Sequence, residues 1–449
     1  MPTDRPVLVL RLGSHSEKEY IEKIASRLDA VIIGANLMEA TPGATASLAV
    51  KLSGARTGID VYIDPMTYVF GTYVDRDGIR HADLDWIKSD QKVRGQPGKV
   101  VHDFKRSYRA LAERLGGLVQ AAVDRSQAIT PEDLAKRAAA RKLAGDVILY
   151  QNERIAEEFK KDPDFADVAG DVPRPRHVLA PYFYVDPTNW REWSKTNQLL
   201  AEESVRVSST PVHAVVAADV EFLSNERFLA ATVDALRSSG VKGVWFWFSR
   251  FAEDTAEEGT LVAWRKLVEG LAPTLDVFTM HGGFFSMALS KHGLRGVSHG
   301  VGYGEQKDIL PVIGQSTPMV RYYVPPLRRK KGVPDVQLAL DALGVASPGQ
   351  FFEQVCDCVI CKGIIGGDLD QFALFGDMHR STPSSKRLAQ TPAAAKRCRF
   401  HFMLRRLQER SWIEKATLGE IADRLASDAK RWSTLDTAHL ARWRRVLIA

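Results

Sequence analysis

Cysteine is scarce in this chain: its 449 residues hold four. That scarcity excludes a disulfide scaffold and fits a reducing compartment, so the expected location is the cytoplasm. No uninterrupted apolar run is long enough to span a bilayer, which argues against a membrane-crossing helix and against a membrane partner. The start, Met1-Pro2-Thr3-Asp4-Arg5, carries an acid and no apolar stretch behind it, so it does not read as a signal peptide. The sequence also lacks a solenoid-type repeat, a low-complexity tract, a phosphate-cradling P-loop and a His-Glu-x-x-His motif. Those absences exclude a repeat scaffold, a Walker-type nucleotide hydrolase and a zincin-type protease.

Of the four cysteines, three fall within six residues, Cys356-Asp357-Cys358-Val359-Ile360-Cys361. A Cys-x-Cys-x-x-Cys turn aims its sulfurs at one point, as a tetrahedral metal that prefers soft ligands requires, so a zinc ion is expected. The fourth ligand must come from elsewhere. His401 and Cys398 are the leading candidates, three residues apart in a segment that reads as a helix, and His379 is a third. The alternative for the cluster is buried or redox-active thiols.

Charge is distributed unevenly. The whole chain has 61 Lys and Arg against 55 Asp and Glu, a balance of +6. From Arg321 to the end there are 22 basic and 13 acidic residues, so this part carries +9 and the preceding residues −3. The surplus therefore travels with the cysteines, in runs such as Arg328-Arg329-Lys330-Lys331 and Lys396-Arg397-Cys398-Arg399. Such runs are often only solvated faces, but their concentration in one part of the chain points to a polyanionic partner.

Short apolar runs alternate with helical stretches. Strands are expected at Pro6–Leu12, Ala30–Leu37, Ile59–Asp64, His177–Val185, Val212–Val220, Gly243–Phe248, Asp276–His281 and Gly296–Tyr303. Continuous apolar strands imply a parallel sheet covered on both faces. Eight of them favour a closed (β/α)8 TIM barrel over an open sheet. The expected organisation is a catalytic barrel over residues 1–330, with a helical insertion at about 103–165, followed by a basic, helical, zinc-binding region over 331–449.

Catalytic groups of such barrels gather at the C-terminal strand ends. That rule singles out Asp64 after the third strand, Asp186 after the fourth, Asp219 and Glu221 after the fifth and Glu305 after the eighth. Two carboxylates facing one pocket can divide the roles of nucleophile and acid/base. Each also has a plainer reading as a turn residue. Gly282-Gly283 would let backbone approach a ligand, or would simply form a turn. His281 and His299, and the rings of Trp245-Phe246-Trp247-Phe248, read by default as packing residues.

Together, these features resemble the tRNA-guanine transglycosylase superfamily, a TIM barrel with a zinc subdomain after the eighth strand. Cys356, Cys358 and Cys361 match its Cys-x-Cys-x-x-Cys motif, and His401, in Arg399-Phe400-His401-Phe402, looks like its helix histidine. The resemblance implies exchange of guanine for a 7-deazaguanine base of preQ0 type through a covalent carboxylate–sugar intermediate. It implies that Asp64 assists proton transfer and that Asp186 reads the base, accepting hydrogen bonds from its N1 and amino group. The family's nucleophile follows the eighth strand in an Asp-x-x-x-Pro-Thr-Arg context. Here Gly302-Tyr303-Gly304-Glu305 stands in that place, which makes Glu305 the candidate. Phe248-Ser249-Arg250-Phe251 replaces the glycine pair after the sixth strand, and Asp219 lies near the expected glutamine of the fifth. This drift is similar to the divergent branch that inserts the base into DNA, so DNA is favoured over tRNA. Further expected partners are a second copy of the chain or accessory modification proteins. The competing readings are a catalytically silent nucleic-acid-binding relative and an unrelated barrel hydrolase.

Overall fold

In the computed structural model the described residues are 5–54, 58–71, 73–74, 80–81, 88–92, 100–104, 106–125, 127–161, 170, 172, 174–302, 308–309, 320–380 and 388–449. Eight parallel strands form one sheet: β1 (Val7–Leu12), β2 (Ala30–Gly34), β3 (Asp60–Asp64), β4 (Val178–Leu179), β5 (Val212–Asp219), β6 (Gly243–Ser249), β7 (Asp276–Thr279) and β8 (Leu294–Gly300). β1 pairs with both β2 and β8, so the sheet wraps round on itself, with β3 and β4 at its two edges. Side chains span that seam in place of a ladder. The Tyr62 and His177 rings stack at 5.8 Å, Thr67 Oγ1 donates to the Tyr182 carbonyl at 2.7 Å, and the Tyr182 N–H donates back to Thr67 Oγ1 at 2.8 Å. The chain is thus an α/β TIM-barrel-type fold, as expected.

The strand boundaries differ from expectation in two informative places. The second strand stops at Gly34, and the helix Ala35–Ala40 begins at once. The fourth has two laddered residues, followed by Pro181, which lacks an N–H for the ladder; one further bridge joins Val185 to Ala218. The long helix Arg137–Lys160 and the shorter helices Arg106–Leu115 and Gly117–Asp124 make up the helical insertion.

Period-two alternation fills the lumen in layers. Tyr62, His213, Trp245 and Phe278 form one layer, with Trp245 stacked on Phe278 at 4.4 Å and its indole N–H donated to His213 Nδ1 at 3.2 Å. Two residues further along their strands come Asp64, Trp247 and Met280, joined there by Arg11 of β1. Phe246 and Phe248 point the other way, onto Trp264. The aromatic run on β6 is therefore packing on both faces of the strand.

After β8 the chain builds a second core from Tyr322, Val324, Phe351, Phe372, Phe375, the four cysteines and Trp432. The helix Pro392–Lys415 joins the two cores: Cys398 belongs to the second, whereas Met403, Leu407 and Ile413 pack into the barrel's. No helix among the described residues is long and apolar enough to cross a membrane.

Candidate metal centre and barrel mouth

The cysteine turn leads directly into the helix Val359–Ile365, with Cys358 as its N-cap and the Cys361 N–H directed at Cys358 Sγ. His401 approaches from the helix Pro392–Lys415. Its Nδ1 lies 3.7, 3.4 and 3.3 Å from the sulfurs of Cys356, Cys358 and Cys361, and all four ligand atoms fall within 4.8 Å of one another. Tetrahedral zinc bonds of about 2.3 Å to sulfur and about 2.0–2.1 Å to nitrogen would separate S and N by about 3.6 Å, so this cage has the right size. All four residues are buried.

The surroundings fix the ligands. His401 Nε2 meets the Tyr323 carbonyl at 2.7 Å, which puts the proton on that nitrogen and leaves Nδ1 its lone pair. Tyr322 stacks on the imidazole at 4.2 Å and places its hydroxyl 3.2 Å from Cys361 Sγ. Burial lowers the basicity of His401, but hydrogen bonds and charge from the sulfurs of Cys356 and Cys358 outweigh it and raise the pKa to about 9, so a proton and a metal cation compete for Nδ1. Three sulfurs and a nitrogen turned inward could hold a metal cation. Cys398 is not part of the set: its Sγ faces the Phe375 carbonyl at 3.4 Å, and burial pushes its pKa up to about 12. His379 lies on the hairpin formed by Met378–Arg380 and Leu388–Gln390, outside the cage.

At the barrel mouth Asp64, Asp186 and Asp219 each meet protein donors. Asp64 is fully buried; its Oδ2 pairs with Arg11 Nη2 at 2.7 Å, and its Oδ1 accepts from the Tyr182 hydroxyl at 2.8 Å and the Met66 N–H at 3.0 Å. Burial alone would lower the Arg11 pKa, but the charge of Asp64 holds it above the ordinary arginine value. Asp186 Oδ1 accepts from the Thr188 hydroxyl and from the N–H groups of Thr188 at 2.8 Å and Asn189 at 3.3 Å, a turn that leads into the helix Trp190–Val207. Asp219 accepts from the Glu221 N–H at 3.0 Å, the Tyr184 hydroxyl at 3.1 Å and the Arg250 guanidinium. Glu305 lies outside the described residues.

Gly282 and Gly283 are required by packing. A Cβ on Gly282 would lie 2.5 Å from Val297, and one on Gly283 would lie 2.5 Å from Glu253 Oε2. Glu253 is a residue that sequence reading missed. It is buried, and it accepts the N–H groups of Gly283 at 2.6 Å, Phe285 at 3.1 Å and Ser286 at 3.2 Å. Arg11 was also missed, although a lone arginine in the apolar strand Val7–Leu12 is a readable signal. Nothing local marks Glu253, because its partners lie 30 or more positions away.

No family model matches the chain, and no curated protein matches it. Among solved structures, the chain is similar to a putative phosphonomutase from Burkholderia cenocepacia J2315, at 13% identity over 66% of this chain and 89% of that one. The TM-score of that pairing is 0.28, too low to carry an argument about fold or function.

Proposed function

We propose that this chain is a nucleic-acid base-exchange enzyme that replaces guanine with a 7-deazaguanine, with DNA favoured over tRNA as substrate. One observation carries the reading. A Cys3His cage built after the eighth strand of a parallel barrel anchors the same helix that brings Arg406 to the barrel mouth. Zinc is the ion assigned to that cage, since a three-thiolate, one-imidazole set suits it. Four protein ligands leave no position for water, so the assigned role is structural.

In the proposed reaction a carboxylate attacks the anomeric carbon as the glycosidic bond breaks, and guanine leaves with the bonding pair and takes up a proton. The incoming base then attacks the same carbon, loses its N9 proton and releases the carboxylate. Glu305 is assigned the nucleophilic role and Asp64 the proton-handling one, with Arg11 and Tyr182 fixing its orientation. Asp186 and Asp219, which already organise the turns beside the mouth, are assigned to base recognition. The test is incorporation of labelled preQ0 or guanine into DNA and into tRNA. Wild-type protein incorporates label and Asp64→Asn does not; equal incorporation by a folded Asp64→Asn protein refutes the assignment.

A second reading, a catalytically silent nucleic-acid-binding relative, is favoured by one feature: Asp64, Asp186 and Asp219 are all engaged by protein donors. A covalent protein–nucleic acid band on a denaturing gel excludes it.

A further inference from the structure

Between the helices Trp190–Val207 and Glu226–Ser238 the outer layer of the barrel is open. A cleft of about 290 Å³ lies there, on the side of β5 that faces away from the lumen. Strands of a parallel barrel are ordinarily sealed on both faces. In β5, however, Val216 is only partly buried, whereas every other residue of the strand is buried. The cause lies in side-chain size. Ala214 of the strand, Ala201 of one helix and Ala231 and Ala235 of the other all border the cleft, and their methyl groups leave the space between the helices unfilled. Bordering positions run from Trp190 to Ala201 along the first helix, roughly 16 Å at about 1.5 Å per residue. The cleft is thus a slot, long for its volume and apolar along most of its length.

Its charge is one-sided. Arg191 and Lys195 border it, about one helical turn apart and therefore on one face. Both are exposed, and neither forms an ion pair among the described residues. The Arg191 guanidinium lies over the Trp190 ring at 4.9 Å, which sets the cation at the end of the slot where Trp190 meets Phe228 edge to face. Among the described residues no aspartate or glutamate borders the slot. An apolar length with two cations and no acid calls for a molecule with an apolar body and a single anionic head. The planar fork of an arginine matches a carboxylate, and the apolar floor favours methylene groups over water.

We infer that this slot binds an amphipathic carboxylate: an acyl chain laid along β5 between the two helices, with its head group on Arg191 and Lys195. A neutral apolar molecule would leave the two cations unused. A compact polyanion would have nothing to place along the apolar length. The site lies on the outer wall of the barrel, and it stands whether or not the mouth exchanges bases.

The test is calorimetric titration of the zinc-loaded protein with decanoate, kept below its micelle concentration, beside decanol as the neutral counterpart. One saturable site is expected for decanoate. Ala235→Leu should weaken it at least about tenfold, because the larger side chain displaces several methylene groups of the ligand. Arg191→Gln combined with Lys195→Gln should weaken it severalfold, as the loss of two exposed charge pairs implies. Arg191 and Lys195 are exposed, so that variant keeps the test alive if Ala235→Leu does not fold. Absence of saturable binding, or unchanged affinity in a folded Ala235→Leu protein, overturns the site. Decanol bound as tightly as decanoate, or unchanged affinity in the double glutamine variant, overturns the carboxylate assignment. Sedimentation covers the remaining occupant: a dimer that Ala235→Leu dissociates gives the slot to a second copy of the chain and overturns the ligand.

Discussion

The metal cage draws all four ligands from positions 356 to 401, three of them from one turn. The barrel mouth draws its polar groups from Arg11, Asp64, Tyr182, Asp219 and Glu253, which meet only because eight strands close on one another. The cage turns its donors inward and leaves them without a proton or carboxylate partner that satisfies all four. The mouth pairs Asp64, Asp186, Asp219 and Glu253 with a cation, a hydroxyl or backbone N–H groups. The first arrangement could hold a cation.

The largest expected effect lies on the cage side. Cys358→Ser removes one of three thiolates and should abolish stoichiometric metal binding. Because metal binding and folding of such a unit are linked, the core around Tyr322, Phe351 and Trp432 should lose its protection, at a cost of several kcal/mol. Elemental analysis with limited proteolysis reads both; one full zinc equivalent in the variant breaks the comparison.

Asp64→Asn comes next. It leaves the Arg11 guanidinium buried without its counter-charge, an expected loss of about 3–5 kcal/mol by urea unfolding. Replacing both residues, Arg11→Met with Asp64→Leu, should recover part of that loss. An additive double variant would show that the pair does not couple.

The legibility of the two regions follows from the same contrast. The cysteine spacing is a local pattern that points to three of the four ligands and leaves His401 and Cys398 both open as the fourth; the resemblance to a family with a helix histidine is what favours His401. The strands could be read from their apolar runs, except where Pro181 cuts β4 short and where Ala35 opens a helix. The mouth was readable only as a set of strand-end acids. Sequence position placed Asp64, Asp186 and Asp219 near the mouth, but it could not show that Arg11 and Tyr182 complete Asp64, or that Glu253 fills the space over Gly282-Gly283. Those partners are 53, 118 and 30 positions distant, and nothing in the pattern of either segment encodes the pairing.

Glu253→Gln sharpens the mouth side of the comparison. A neutral amide accepts the Gly283, Phe285 and Ser286 N–H groups less strongly than a carboxylate, and a loss of about 1.5–3 kcal/mol is expected by chemical unfolding. No measurable loss would mean that the glycine turn holds without its cap.

The remaining effect is a pH dependence. Burial lowers the pKa of both His213 and His299 to about 3, His213 further through His177 and His299 through Arg406. A histidine that titrates near 6.5 when unfolded but stays neutral when folded favours the unfolded state as pH falls. Stability is therefore unaffected by these groups above about pH 6.5 and declines from there towards pH 3, by roughly 1.4 kcal/mol per pH unit for each histidine. Urea midpoints between pH 7 and pH 5 read the slope, and His213→Gln should reduce it, leaving the share of His299 and of His177 and His439, whose pKa values burial also lowers. A slope unchanged in that variant would remove His213 from the account.

The most direct measurement is mass spectrometry of nucleosides from DNA and from tRNA, taken from cells with and without this chain expressed and supplied with preQ0. The account predicts a 7-deazaguanine nucleoside that depends on the chain, in DNA ahead of tRNA, and that disappears with Asp64→Asn. Identical nucleoside profiles with and without the zinc-loaded protein would contradict it.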